Sequence, residues 1–169
     1  MSLKARFAVV SFLLVFALAC FAQDPAPPAA PEPTSVYALG TSYNAGGSPA
    51  VAGTGLYAHK VNDSGTYAFT VVDALPATLK PFTVTTNFGF GVAQKVVTLG
   101  KVPIYIPTSA GVSWNGNNTG WSWTTGALAA IKYKDTNFRI MPNVRIVKSS
   151  VSGGTGYQPI VGVLFGWGQ

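Results

Sequence analysis

The chain ends in YQPIVGVLFGWGQ, residues 157–169, and this stretch decides the fold. Every second residue from Tyr157 to Trp167 is apolar or aromatic, and the residues between them are mostly glycine or other uncharged groups. Successive side chains of a β-strand point to opposite faces, so one face of this strand carries large apolar side chains and the other has glycine at several positions. A solvated face would carry charge where this one carries glycine. The pattern is typical of a membrane-spanning strand in a closed barrel.

Seven further stretches have the same strand-like character. No segment keeps an apolar pattern at helical spacing long enough to compete. Membrane-spanning strands need about 9 to 11 residues, which the stretches meet or approach. The sequence therefore predicts an all-β fold, an eight-stranded antiparallel up-and-down transmembrane β-barrel. Its strands are expected at residues 35–44, 50–61, 66–74, 82–99, 102–114, 120–133, 138–148 and 157–168.

The predicted links between strands alternate in length. Longer links rich in Gly, Asn, Pro and Ser are expected at 44–49, 75–81, 115–119 and 149–156, and tight turns at 62–65, 100–101 and 134–137. Bacterial outer-membrane barrels have short periplasmic turns and longer outer loops. The alternation therefore predicts that both termini lie on the periplasmic side.

Aromatic residues fall near the ends of the predicted strands. Amphipathic rings favour the two membrane–water interfaces, where one edge stays wet. We expect an outer girdle and an inner girdle, although a soluble core could also use these side chains. The outer girdle comprises Tyr43, Trp114, Trp121, Trp123 and Tyr157, and the inner one Tyr37, Tyr133 and Trp167.

The amino-terminal segment predicts export. Residues 1–22 combine a basic start, an apolar run and small residues, as a cleaved secretory signal does. Cys20 leaves a lipoprotein signal open as an alternative; cleavage after Ala22 would leave a mature chain without cysteine. Residues 23–34 contain five prolines and predict an extended spacer without a core of its own. Residues 35–169 form the barrel domain.

Charge is scarce in this chain. Only 9% of its residues are charged, against about 25% in ordinary globular proteins. Without residues 1–22 the chain keeps nine basic and five acidic residues, a formal net charge of +4. The basic residues are scattered, which argues against nucleic-acid binding. Few charges suit a surface that faces lipid.

With these features the segment from Ser35 to Gln169 resembles the small eight-stranded outer-membrane β-barrels of Gram-negative bacteria. Outer membrane protein X and the transmembrane domain of outer membrane protein A belong to that class. The resemblance implies residence in the outer membrane, contact with its lipid, and recognition of residues 157–169 by the barrel-insertion machinery. In that class the last strand usually ends in Phe or Trp, whereas here Trp167 is followed by Gly168 and Gln169.

The sequence offers little for catalysis. One histidine and dispersed acidic residues do not predict a metal site, and no motif predicts a nucleotide or another cofactor. His59, Asp63 and Ser64 lie close together in sequence, but they surround a predicted tight turn with no oxyanion donor. We therefore expect a protein that is not an enzyme.

Polar side chains are expected inside the barrel. An eight-stranded lumen is just wide enough to be filled by side chains, so these residues predict a hydrogen-bonded plug. The leading hypothesis is a structural or surface-interaction role in the membrane, with no specific ligand identified. The alternatives are a small channel that favours anions and a secreted soluble β-sandwich that binds carbohydrate or acts as an adhesin. The expected lumen residues are Arg139, Asn143, Arg145, Lys132 and Asp73.

Overall fold

The computed structural model describes residues 32–44, 50–79, 82–116, 118–151 and 157–169. The predicted signal segment and most of the proline-rich segment lie outside these residues. The strands are β1 (Ser35–Asn44), β2 (Ala50–Asn62), β3 (Thr66–Leu79), β4 (Phe82–Leu99), β5 (Val102–Asn115), β6 (Asn118–Ala129), β7 (Ile131–Lys132), β8 (Phe138–Ser149) and β9 (Tyr157–Gly168).

The sheet closes on itself. β1 to β6 pair antiparallel in chain order, β6 and β7 both pair with β8, β8 pairs with β9, and β9 pairs with β1. The closing register sets Tyr37 opposite Trp167 and Tyr43 opposite Val161, which confirms the predicted closed barrel. Closure removes the unpaired edges that a sheet would otherwise expose. The fold is a closed barrel and not a sandwich.

The predicted strand over residues 120–133 is interrupted. β6 ends at Ala129 and β7 begins at Ile131, and both pair with β8. The backbone N–H of Ala130 donates instead to the carbonyl of Pro103 at 3.1 Å. Because β6 and β7 are two parts of one barrel strand, the nine elements make an eight-stranded barrel.

Side chains of β9 alternate as its sequence predicts. Ile160 and Leu164 are fully buried inside the barrel, while Phe165 is 46% exposed and Trp167 58% exposed on the outside. Gly162 faces inward, where a Cβ would lie 2.7 Å from the carbonyl oxygen of Thr41 on β1. The absence of a side chain at Gly162 therefore allows the neighbouring strand β1 to approach closely.

Two links that the sequence predicts as long are short. β3 continues to Leu79 and β4 begins at Phe82, so residues 75–79 are strand and not loop. The ladder accommodates Pro76 through a register shift between Pro76 and Thr78, as a β-bulge allows. β5 and β6 meet in a hairpin that pairs Asn115 with Asn118 and has Gly116 at a φ of 57°. The predicted alternation of link lengths is wrong at these two positions.

The barrel has two distinct ends. We call the end with Ser35 and Gly168 the terminal end; the three tight turns at 63–65, 100–101 and 133–137 lie there. The opposite end, where β1 finishes at Asn44 and β9 begins, is the far end. Across the described ranges, no helix is long and apolar enough to cross a membrane.

Candidate functional site

An ion pair crosses the lumen of the barrel. Arg145 on β8 donates from Nη2 to Asp73 Oδ1 at 2.8 Å and from Nη1 to Asp73 Oδ2 at 3.0 Å. Both side chains are almost completely buried. In the closed sheet three barrel strands separate β3 from β8 in either direction, so the two residues face each other across the interior. This bidentate geometry is the strongest form of Arg–carboxylate contact.

Other polar side chains complete the network around this pair. The Thr54 hydroxyl donates to Asp73 Oδ1 at 2.7 Å and accepts from Arg145 Nη2 at 3.1 Å. Arg145 Nε donates to Asn143 Oδ1 at 3.1 Å, and Ser42 lies 3.3 Å from the Thr54 hydroxyl. Four barrel strands therefore meet in one hydrogen-bonded cluster. Buried charges need such partners, because an unsatisfied one carries a large desolvation cost.

A second buried polar cluster lies beside the first, since Asn87 on β4 is the register partner of Asp73 on β3. The Ser113 hydroxyl is hydrogen-bonded to Asn87 Oδ1 and to the hydroxyl of Ser149, which joins β4, β5 and β8. Within the described residues, Asn87 Nδ2 and Thr85 Oγ1 have no hydrogen-bond partner. This cluster was not predicted from the sequence. The inward positions of Asn87 and Ser113 in the strand alternation were the signal that could have shown it.

The terminal half of the lumen is apolar. A cavity of about 60 Å³ lies there, and the aromatic rings of Tyr67 and Tyr105 meet edge to face with their centroids 5.6 Å apart. Alternation of Tyr67, Phe69 and Val71 along β3 would have indicated this chamber. The lumen is thus apolar toward the termini and polar in its middle, and its far part holds a second buried apolar cluster of Ala52, Leu75, Val147 and Ile160. The chamber is lined by Pro33, Val36, Leu56, Ala58, Tyr67, Phe69, Ala93, Tyr105, Pro107, Leu128, Ala130, Arg139 and Met141.

Residues 32–34, which we call the strap, cross the terminal mouth of the barrel. Glu32 pairs with Lys95 Nζ at 2.7 Å, and the carbonyl of Pro33 accepts a hydrogen bond from the Tyr67 hydroxyl at 2.8 Å. The carbonyl of Thr34 accepts from the backbone N–H of Lys60 at 2.7 Å. The sequence assigns the strap to a spacer with almost nothing to pack. In the structure it packs against the barrel, and Pro33 lines the chamber.

The five predicted lumen residues do not form one cluster. Asp73, Asn143 and Arg145 meet in the polar network. Arg139 lines the apolar chamber instead, and its Nε is buried without a partner among the described residues. Lys132 is half-buried near the terminal end, where its register partner is Arg139. Distance along β8 separates the two groups, since Arg139 lies six residues before Arg145.

The predicted girdle aromatics lie on the outside of the barrel, near the expected ends. Trp123 is half-buried and the other seven are exposed. Two partners were missed: Tyr57 lies with its ring centroid 4.8 Å from that of Tyr37, and Phe138 packs 4.9 Å from the ring of Trp167. The exposed members are Tyr37, Tyr43, Trp114, Trp121, Tyr133, Tyr157 and Trp167.

The residues considered for catalysis do not assemble. Ser64 donates to the side chain of Asn62 at 2.7 Å, and Asp63 pairs with Lys60 at 3.2 Å. His59 Nδ1 is hydrogen-bonded to the Ser35 hydroxyl at 2.9 Å on the exposed surface. No group of three His, Cys, Asp or Glu side chains that could hold a metal ion occurs in the described part of the chain.

Comparison with solved structures identifies the architecture. The crystal structure of Neisserial surface protein A matches with a TM-score of 0.54 at 12% identity, over 80% of this chain and 94% of that one. The N-terminal β-barrel domain of Pseudomonas aeruginosa OprF matches with a TM-score of 0.54 at 10% identity, over 81% of this chain and 100% of that one. The chain has the fold of the small eight-stranded outer-membrane β-barrels. No protein-family model and no curated protein sequence matches it.

Proposed function

We propose that this chain is an integral outer-membrane β-barrel protein, without enzymatic activity, that has a structural or surface-interaction role. The observation that carries the proposal is the distribution of polarity across the barrel wall. Large apolar side chains such as Leu39, at 73% exposed, and Phe90, at 62%, lie outside, while charged and hydroxyl side chains such as Asp73 and Ser113 are buried inside. A water-soluble domain has the reverse arrangement. Lipid is the solvent that such an exterior fits.

The lumen favours a structural role over a channel. The Arg145–Asp73 pair bridges opposite walls, and the strap is fastened at the terminal end by the pair between Glu32 and Lys95. An eight-stranded barrel filled by its own side chains has no continuous aqueous path. The basic lumen residues that could have favoured anions are held by partners, as Arg145 is, or lie beside an apolar chamber, as Arg139 does.

The route to the membrane follows from the ends of the chain. Residues 1–22 would direct export, and residues 157–169 would be recognised by the barrel-insertion machinery. The alternation of β9 up to Trp167 supports this role, and Trp167 packs on Phe138 at the terminal end. With the termini in the periplasm, the far end faces the outside of the cell.

Membrane residence is tested by expressing the full chain in a Gram-negative host and separating its membranes. We expect the mature protein in the detergent-extracted outer-membrane fraction, with faster gel migration before boiling than after it. Recovery as a soluble periplasmic species would contradict the proposal. Intact mass of the same material distinguishes cleavage after Ala22 from a lipidated Cys20.

The closed lumen is tested separately in planar bilayers. The purified barrel is expected to insert without reproducible conductance steps. Uniform steps with anion selectivity would favour the channel alternative and contradict the plug.

A further inference from the structure

Charge is distributed unequally between the two ends of the barrel. Among the described residues the acidic side chains Glu32, Asp63 and Asp135 lie at the terminal end, and Asp73 lies in the lumen. On the outer wall near the far end, the described residues include a single charged side chain, Lys148 on β8. An anion that approaches this part of the wall meets a cation and no described carboxylate.

Lys148 lies in a cradle of two aromatic rings. Its Nζ is 5.1 Å from the ring centroid of Tyr157 and 5.5 Å from that of Trp121. Tyr157 is its register partner on β9, and Trp123 is its register partner on β6. The rings hold the ammonium through cation–π attraction. Neither ring accepts a conventional hydrogen bond, so the N–H donors of Lys148 keep their capacity for an anionic acceptor.

The backbone beneath the cradle is fixed. The Ser150 hydroxyl accepts from the backbone N–H of Trp121 at 2.9 Å and lies 3.3 Å from the carbonyl oxygen of the same residue. Trp121 and Tyr157 belong to the predicted outer girdle, where amphipathic rings sit at the level of lipid headgroups. A lysine at that level places its stem along the apolar wall and its ammonium among the headgroups. A cradle at that level would meet phosphate groups and not hydrocarbon.

We propose that Lys148, held between Trp121 and Tyr157, binds the phosphate of an anionic lipid headgroup in the leaflet at the far end. This inference rests on the proposed membrane residence. A compact ammonium is a good phosphate ligand because it donates charge-assisted hydrogen bonds without a fixed direction. Among the described residues of this wall, no carboxylate competes with the lipid phosphate for the cation.

The chain contains a matched control for this site. Lys134 lies over the ring of Tyr133, with Nζ 5.4 Å from the centroid, in the tight turn after β7. That lysine has one described ring instead of two, is exposed, and precedes Asp135 at the acidic terminal end. Removing Lys134 therefore deletes the same charge and the same type of ring contact outside the proposed cradle.

The experiment measures lipid retention by the full mature chain released from mixed-lipid nanodiscs in native mass spectrometry. The wild-type protein is expected to retain phosphatidylglycerol in preference to phosphatidylcholine. Lys148→Ala should weaken the apparent affinity for phosphatidylglycerol about tenfold, as loss of a hydrogen bond between charged groups predicts. Lys148→Arg should keep the preference, and Lys134→Ala should leave it at the wild-type value. Lys148→Met, which keeps the apolar stem, replaces the alanine variant should that variant fail to fold.

Each possible result of this experiment has a different meaning for the proposed lipid site. Unchanged retention in the folded Lys148 variants, or an equal loss in Lys134→Ala, would overturn the proposal. Displacement of the lipid by millimolar inorganic phosphate would assign the site to a free anion and overturn the lipid assignment. Heat-modifiable migration is measured on each preparation: a chain that never inserts into the nanodisc refutes the proposed membrane residence, whereas an inserted barrel without lipid preference refutes this site alone.

Discussion

Breaking the ion pair across the lumen provides the sharpest test of the plug. Arg145→Met removes the two hydrogen bonds to Asp73, of 2.8 and 3.0 Å, together with those to Thr54 and Asn143, and leaves the Asp73 carboxylate buried. Each such bond contributes about 1.5–3 kcal/mol, and removal of one partner from a buried pair costs about 3–5 kcal/mol. The Thr54 hydroxyl still donates to the carboxylate, which places the expected loss toward the lower end of that range.

Removing both charges should cost much less. In a double variant, Arg145→Met with Asp73→Leu, no buried charge is left without a partner, and apolar side chains of similar size occupy the space. We expect the double variant to recover most of the stability that Arg145→Met loses. The resulting double-mutant cycle gives the coupling between the two residues, which should be of order 2–3 kcal/mol.

The assay is reversible unfolding by guanidinium chloride in lipid vesicles, followed by tryptophan fluorescence and by gel migration. The control is Lys60→Met, which breaks the exposed pair between Lys60 and Asp63 and should leave the midpoint unchanged. If Arg145→Met unfolds at the same midpoint as Lys60→Met, water screens the lumen and the pair does not close it.

Three further variants test other parts of the structure in the same assay. Gly162→Ala places a Cβ 2.7 Å from a backbone oxygen of β1 and should destabilise the barrel by about 1–3 kcal/mol. The control Gly53→Ala, whose Cβ would have no atom within 4 Å, should leave the stability unchanged. Equal effects of the two substitutions would contradict the packing of β9 against β1. Met141→Ala enlarges the apolar chamber and should cost about 2–5 kcal/mol; a loss below about 1 kcal/mol would indicate a hydrated chamber. Lys95→Met breaks the ion pair with Glu32 and should speed proteolytic removal of the strap, while the gel migration of the barrel stays unchanged. Equal cleavage rates in the wild-type protein and the variant would show that this pair does not hold the strap.

Local features of the fold could be predicted from the sequence. The inward and outward faces of β9 depend only on the period of two, so Ile160 and Phe165 are placed correctly without knowledge of any neighbour. Closure follows because a membrane does not tolerate open sheet edges. The lengths of the links were harder to predict from the sequence. A proline such as Pro76 usually indicates a loop, and the bulge that accommodates it within a strand is visible only in the structure.

Contacts that depend on register across the barrel could not be predicted with the same detail. The inward direction of Asp73 and Arg145 was expected, but their bidentate contact requires the stagger of all the strands between them. Arg139 has the same parity as Arg145 and was grouped with it, although its position along β8 places it beside the apolar chamber. Alternation in the sequence shows on which face of the sheet a residue lies, but it does not show at what level along the barrel axis the residue lies.

The interior of this barrel stabilises the fold, as a hydrophobic core does in a soluble protein. Its apolar chamber packs Tyr67 against Tyr105, its middle is cross-linked by Arg145 and Asp73, and Pro33 of the strap lines the chamber at the terminal end. Such an interior stabilises the wall without needing a bound ligand. Specific interactions are then left to the outer wall and the far end, where Lys148 lies beside the ring of Tyr157 and forms the proposed lipid site. The closed lumen and the proposed lipid site are therefore two consequences of one arrangement: a barrel that keeps its polar contacts inside and presents few charges to its surroundings.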